Sequence, residues 1–434
     1  MFFERGGAWK GPGSEDTPLA IDIVITGMGL VSPFGLGEEP FAEGLKKNQS
    51  AIRRVTRFPL KDWCRPQLAA EVKDFPFYGR NEALEDLTGN LKESERAFPR
   101  LRLVWASLAL ALKDAGLALD ARMRERTGIF VGLSRLSIDS LEFFLERSSA
   151  GRLAEIMPFR LERVHPHGVA GHLSHLYQIV GPCLSFPASC QSALQALETA
   201  MLCLENGLID LALVLSTDTI SRFLFHAEAA AGLLSAQPDP DRAPRPYDDN
   251  ADGAVLSEGG AALVLEKAGG ALGRGARIRA RISALETVFE PAPFPPLKAG
   301  DYQMGAALSR LFERFDASRL DLIYGGGRGI QDLDRSEAES LQRILGNRAD
   351  RVLVTSVQGG LGHAGGTGAL FQTMAAVWSL ESGWIPAIRN LENPTGGCQL
   401  NYVTGNARQA AVNRVLVLTY GWGGSHSALV LQKG

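Results

Sequence analysis

FPASCQSALQAL, residues 186–197, carries an apolar run into a helical pattern across one turn. The residues before and within it, CLSFPAS (183–189), have the make-up of a buried strand. After it, Leu194, Leu197, Met201 and Leu204 recur at helical spacing, and Asn206-Gly207 offers a stop. The unit reads strand, turn, helix, with Cys190 on the turn at the helix N-terminus. Free backbone N–H groups and the positive end of the dipole stabilise a thiolate there, and they can hold a thioester oxyanion. The plainer reading of such a residue is a buried structural thiol. Position alone leaves the two balanced. Cys183 and Cys203 lack the turn and read as structural.

The same alternation runs along the chain, which predicts an α/β architecture. IDIVITGMGL (21–30) reads as a buried strand ending in a glycine turn, and LVWASLALALKDAGL (103–117) as a helix. TGIFVG (127–132), LALVLST (211–217), AALVLEK (261–267) and ARIRARISALETV (276–288) read as further strands. LDLIYGGG (320–327), RVLVTS (351–356) and RVLVLTYGWGG (414–424) complete the set. The Pro- and Asp-rich QPDPDRAPRPYDDNADG (237–253) is expected at the surface as a loop or cap. The halves divide in GGALGRGAR, giving a leader at 1–20, a first half at 21–267 and a second at 268–434.

Composition removes several function classes. The 434 residues are 45% hydrophobic and 21% charged with a net charge of −3, so neither nucleic acid nor an anionic membrane surface is the expected partner. No apolar run reaches the ~18 residues of a membrane span. Five irregularly spaced cysteines suit reduced thiols in a cytoplasm. HPHGVAGHLSH (165–175) invites a zinc reading, but no carboxylate or cysteine lies close by in sequence, and a structural role is expected. TGMGLVS (26–32) only approaches a dinucleotide fingerprint. The charged run 80–100 reads as a solvated helix plus loop.

Two glycine-dense stretches shift the balance at Cys190. QGGLGHAGGTGAL (358–370) frames His363, and YGWGGSHSALVL (420–431) puts Trp422 in a tight turn. Glycines let backbone approach a substrate closely. A histidine so framed can donate a hydrogen bond to a thioester carbonyl or act as a base, with packing as the alternative.

Taken in order, IVITGMGLVSPFG, VAGHLSHLYQIVGPCLSFPASCQSAL, RPYDDNADGAVLSEGGAALVLEK and GWGGSHSALVL resemble the elongation-type β-ketoacyl-(acyl-carrier-protein) synthases, a branch of the thiolase-like condensing enzymes. The likeness runs from about residue 22 to 432. It implies a thiolase-like five-layered αβαβα fold of two similar halves, and a dimer. It also implies an acyl carrier protein as partner and no metal or cofactor beyond the carrier's phosphopantetheine. By resemblance, Cys190 takes the acyl-accepting position, His363 that of the second active-site histidine, and Trp422 that of a gatekeeping phenylalanine. The oxyanion hole would fall to the backbone of Cys190 and Trp422.

The pattern breaks at three places. Asp334 and Glu337 fix the register of LDLIYGGGRGIQDLDRSEAE (320–339), which puts Gly326 at the family's first histidine and Arg328 at its threonine. The lysine five residues before the second histidine is Gln358, and the gatekeeper is the bulkier Trp422. Acyl transfer needs a nucleophile and an oxyanion hole, whereas decarboxylation also needs donors on the malonyl thioester oxygen. Acyl transfer from a carrier thioester onto Cys190, in fatty acid or polyketide-type biosynthesis, is therefore expected to outlast decarboxylative condensation. Arg328 is the best substitute donor, ahead of Tyr324 and His426. The alternative is a non-catalytic, chain-length-factor-like subunit paired with a complete ketosynthase. A third reading uses the acyl cysteine for ester, amide or carbon–carbon bonds without decarboxylation. A homodimer is the default, and a heterodimer follows from the alternative.

Overall fold

The structure, a computed structural model, describes residues 22–73, 75, 85–87, 98–152, 164–289, 309–310, 312, 319–421 and 423–434. The expected leader and most of the charged run 80–100 lie outside the described residues.

In the first half the principal strands are β1 (Ile23–Ser32), β2 (Thr127–Gly132), β3 (Cys183–Phe186), β4 (Leu211–Asp218) and β5 (Gly259–Lys267). In the second they are β6 (Ala280–Phe289), β7 (Leu322–Tyr324), β8 (Leu353–Thr355), β9 (Asn401–Tyr402), β10 (Arg414–Gly421) and β11 (Ser425–Lys433). They join in the order β9-β8-β7-β10-β11-β6-β1-β5-β4-β2-β3. From β1 outward, β5 and then β4 pair antiparallel, and β2 and β3 follow in parallel. From β6 outward, β11 and then β10 pair antiparallel, and β7, β8 and β9 follow in parallel. The two halves thus repeat one pattern and meet where Ile23 and Ile25 of β1 face Ile282 and Ala280 of β6.

Five helices complete the layers: α1 (Pro99–Asp114), α2 (Gly168–Tyr177), α3 (Ser192–Glu205), α4 (Gln331–Leu345) and α5 (Gly365–Ser382). Helices α3 and α5 pack together between the halves, with Leu197, Met201, Phe371 and Met374 in one apolar cluster with Leu263, Leu265 and Val415. On the far face of the first half, α1 and α2 bring Leu108 and Leu173 against Ile129 and Val264. On the far face of the second, α4 brings Leu333 and Leu341 against Ile323 and Leu416. Along β5, Leu263 and Leu265 turn inward while Val264 turns outward, the alternation of a strand covered on both faces. The order helix, sheet, helix, sheet, helix is the expected αβαβα fold.

Several boundaries differ from the sequence reading for physical reasons. Strand β1 does not stop at its glycines. A Cβ on Gly27 would lie 2.3 Å from the Ala111 carbonyl, and one on Gly29 would lie 2.2 Å from that of Ser107. These glycines admit α1 against the strand instead of making a turn. Helix α1 begins earlier, with Pro99 in its first turn. Its early arginines look like a solvated end in sequence, yet Arg100 is 2% exposed and pairs with Asp139. The expected surface loop 237–253 is buried from Ala243 to Asp248. Asp248 secures it, accepting from Arg245 and from the backbone N–H groups of Asn250, Glu392 and Asn393. Among the described residues the cysteines are free thiols, and no helix is long and apolar enough to cross a membrane.

Candidate active site

Strand β3 ends at Phe186, a short 3-10 turn spans Ser189–Gln191, and α3 starts at Ser192. The turn is tight: Ser189 has φ 56°, a left-handed conformation that costs a non-glycine residue energy. Gly132 admits the turn on one side, where a Cβ would meet the Ala193 nitrogen at 2.4 Å. Gly421 admits it on the other, where a Cβ would meet Gln191 Oε1 at 2.2 Å. Cys190 is 7% exposed and points toward the second half.

The segment just before α5 brings His363 to the thiol, with Nε2 3.3 Å from Cys190 Sγ. The backbone of His363 is fixed on both sides. Its N–H donates to Val255, and its carbonyl accepts from the Ser257 N–H and from Arg135 Nη2 at 2.8 Å. Arg135 also binds the Ser257 carbonyl. Its backbone N–H donates to the buried Asp218, a carboxylate that accepts from Thr367 N at the start of α5.

Arg328 is brought into this cluster. Its guanidinium donates from Nη1 to His363 Nε2 at 3.2 Å and lies 3.7 Å from Cys190 Sγ. Nη2 donates to the Tyr420 carbonyl at 3.0 Å, and the group stacks 4.3 Å from the centre of the Tyr420 ring. Gln358 holds the other side of the histidine. Its Nε2 donates to the Gly326 carbonyl at 3.0 Å, and its Oε1 lies 2.9 Å from His363 Nδ1. Burial, and then the cations of Arg328 and Arg135, hold the imidazole well below its ordinary pKa, so it is neutral near pH 7.

Three consecutive glycines make the floor. A Cβ on Gly326 would lie 2.4 Å from Cε1 of Tyr420. Cβ atoms on Gly325 and Gly327 would strike Tyr247 at 2.0 and 2.4 Å. Two tyrosines therefore occupy the space that side chains at 325–327 would need. Beneath them, Tyr247 donates to Glu337 at 2.8 Å, Glu337 accepts from the Gly326 N–H, and Asp334 accepts from the N–H groups of Arg328 and Gly329. Cys190, Gly326, Arg328, Gln358, His363 and Tyr420 border a cavity of ≈ 20 Å³. That is room for about one water.

Of the other residues singled out in the sequence, Tyr324 is turned away, donating to the Ala375 carbonyl in α5. His426 lies in β11 opposite Tyr420, 2% exposed. Trp422, expected as gatekeeper and oxyanion donor, lies outside the described residues. In the His-rich stretch, His172 Nδ1 bonds the Gly168 carbonyl within α2. Sequence reasoning missed Tyr420, Tyr247 and Arg135. The run of three glycines was the available signal for the tyrosines, because residues without side chains leave room for someone else's.

Two buried groups give stability a pH signature of opposing signs. Burial lowers His426 to about 4, so below about 6.5 the unfolded chain takes up its proton first. That stability is complete above pH 6.5 and falls by about 3 kcal/mol as pH drops to 4. Burial raises Glu337 to about 7. The folded chain keeps that proton when the unfolded chain has lost it, so stability falls as pH rises from 4.5 to 7. His426→Phe should make denaturation midpoints less sensitive to acid between pH 6.5 and 4. Glu337→Gln should make them more sensitive between 7 and 4.5. Identical slopes in both variants and the wild type would contradict these assignments.

Comparison with known proteins places the chain. The profile of the beta-ketoacyl synthase N-terminal domain matches residues 20–271, and that of the C-terminal domain matches 294–392. An actinorhodin polyketide putative beta-ketoacyl synthase 1 from Streptomyces coelicolor is 31% identical over 94% of this chain and 88% of its own length. A 3-oxoacyl-[acyl-carrier-protein] synthase 2 from Coxiella burnetii is 27% identical over 95% of this chain and 98% of its own. Among solved structures, a beta-ketoacyl synthase from Burkholderia phymatum superposes with a TM-score of 0.82 at 25% identity, covering 95% of this chain and 100% of that one. The ishigamide ketosynthase/chain length factor gives 0.80 at 23% identity over 95% and 99%, a likeness of fold.

Proposed function

The chain belongs to the beta-ketoacyl synthase family, and from that membership we propose that it is an acyltransferase loading Cys190 from an acyl carrier protein in polyketide- or fatty-acid-type biosynthesis. The observation that carries this reading is the cluster of Cys190 Sγ, His363 Nε2 and the Arg328 guanidinium within 3.2–3.7 Å of one another. A thiol, a neutral base and a fixed cation are what acyl transfer needs. In this reading Cys190 attacks the thioester, His363 accepts the thiol proton, and Arg328 faces the negative charge that develops. The Trp422 backbone would complete the oxyanion hole with that of Cys190.

Decarboxylative condensation is impaired in the same reading. The family's first histidine is Gly326, and its side-chain space holds the Tyr420 ring. One lost donor of this kind lowers a rate by roughly 10²–10³-fold. Labelled CO₂ release from malonyl carrier protein should run at least ~10²-fold below that of a complete synthase assayed beside it. Release at the full rate would sink this part of the reading. A second reading, a chain-length-factor-like subunit in a heterodimer, draws support from Gly326 and Gln358. It predicts a protein that never carries an acyl group, alone or with its partner, whereas the acyltransferase is loaded by itself as a homodimer.

A further inference from the structure

We propose that Gln358 is a positioning residue that fixes His363 as the Nδ1–H tautomer, leaving Nε2 as a base that directs the acyl group on Cys190 to a protic acceptor instead of a carbanion. The inference rests on Cys190 being loaded. Hydrogen-bond polarity fixes the tautomer from two sides. The first is Gln358. The Gly326 carbonyl can only accept, so the amide nitrogen of Gln358 must face it at 3.0 Å. The amide oxygen then faces His363 Nδ1 at 2.9 Å, and that nitrogen must carry the proton. The second is Arg328, a group with donors and no acceptor. Its Nη1 lies 3.2 Å from His363 Nε2, so the lone pair is on Nε2. The imidazole is neutral, so it has one proton to place, and both sides place it on Nδ1.

The consequence concerns the second half-reaction. A lone pair at Nε2, 3.3 Å from the sulfur, cannot donate to an enolate oxygen and repels one. With Gly326 lacking a side chain, both imidazole donors that would stabilise an enolate are gone. A hydroxyl or amine acceptor is suited to the same lone pair, whereas transfer to a thiol only reverses the loading. The acceptor's proton passes to Nε2 as its heteroatom attacks the acyl carbon. The C–S bond to Cys190 then breaks, and the leaving sulfur takes its charge beside the Arg328 guanidinium, 3.7 Å away. The proton on Nε2 returns to the sulfur, which restores the resting thiol, and no oxidant or reductant is consumed.

The test combines a spectrum with a transfer rate. In protein labelled with ¹⁵N-histidine, the His363 signal, assigned by its loss in His363→Asn, should show a protonated Nδ1 and a pyridine-type Nε2. Gln358→Glu loses the donor to the Gly326 carbonyl but retains an acceptor at Nδ1, and should keep the Nδ1 proton. Gln358→Lys sets a donor at Nδ1 against the Arg328 donor at Nε2, so the wild-type pattern should be lost. Discharge of pre-acylated Cys190 onto the hydroxyl analogue of pantetheine, and separately onto its amine analogue, should fall by about 10²-fold in the lysine variant and survive in the glutamate variant. Discharge onto either acceptor supports the inference and identifies the acceptor class. A wild-type spectrum with the proton on Nε2 overturns it while leaving the loading of Cys190 intact. So does discharge by a malonyl thioester alone. A protein that never acquires the acyl group overturns the loading itself, and the wild-type spectrum still decides the tautomer if a variant fails to fold.

Discussion

Arg328→Met should slow the acylation of Cys190 by about 10²–10³-fold, the usual loss when a fixed donor facing developing charge is removed. The side chain is 4% exposed and contacts the sulfur, the imidazole and the Tyr420 carbonyl together. Methionine keeps most of the volume and the contact with the Tyr420 ring, so the effect reports lost charge and donors more than lost packing. Arg328→Lys should restore little. An ammonium is a point charge and cannot span the Tyr420 carbonyl and the His363–Cys190 pair as a planar fork does. Removing the cation also takes away one of the influences that depress His363, so its basicity should rise in the methionine variant. Single-turnover acylation across a pH series measures both. An unchanged rate with the side chain gone would remove Arg328 from the chemistry.

Gly29→Ala should destabilise the fold by about 3 kcal/mol or more, at the upper end for overpacking, because neither side of the contact can yield. The new methyl carbon would sit 2.2 Å from the Ser107 carbonyl and 2.4 Å from the Ala111 nitrogen, both backbone atoms of α1. Strand β1 is held by β5 along most of its length and cannot retreat alone. Gly270→Ala is the control. Nothing lies within 4 Å of its added carbon, it sits in a short helix, and it should be neutral or stabilising by up to ~1 kcal/mol. Denaturant midpoints of the two variants should differ widely. Equal midpoints would mean that β1 and α1 are not in the close contact described.

The layered fold was legible because its strands are covered on both faces and read as apolar runs, and because α3 repeats its apolar residues at helical spacing. Cys190 was legible for the same local reason, as it sits where one periodicity gives way to the other. Arg328 emerged from register against Asp334 and Glu337, and the structure puts its guanidinium beside the thiol. What escaped the sequence depends on contacts between distant segments. Tyr247 lies in a Pro- and Asp-rich stretch that reads as a surface loop, yet it fills the space over Gly325 and Gly327. Tyr420 looks like a strand residue before a turn, and only the fold sets its ring where a side chain at 326 would stand. Gln358 registered as a missing lysine. That it accepts from His363, and so sets the polarity of the imidazole, needs the Gly326 carbonyl on its other side. Gly27 and Gly29 read as a turn because close packing and chain reversal call for the same residue.

Loading of Cys190 is read from the intact mass of the protein. The chain, incubated with acyl carrier proteins bearing a series of acyl groups, should gain the mass of one acyl group, and Cys190→Ala should gain none. An unmodified wild type across the whole series, or an adduct of equal size on Cys190→Ala, would contradict it.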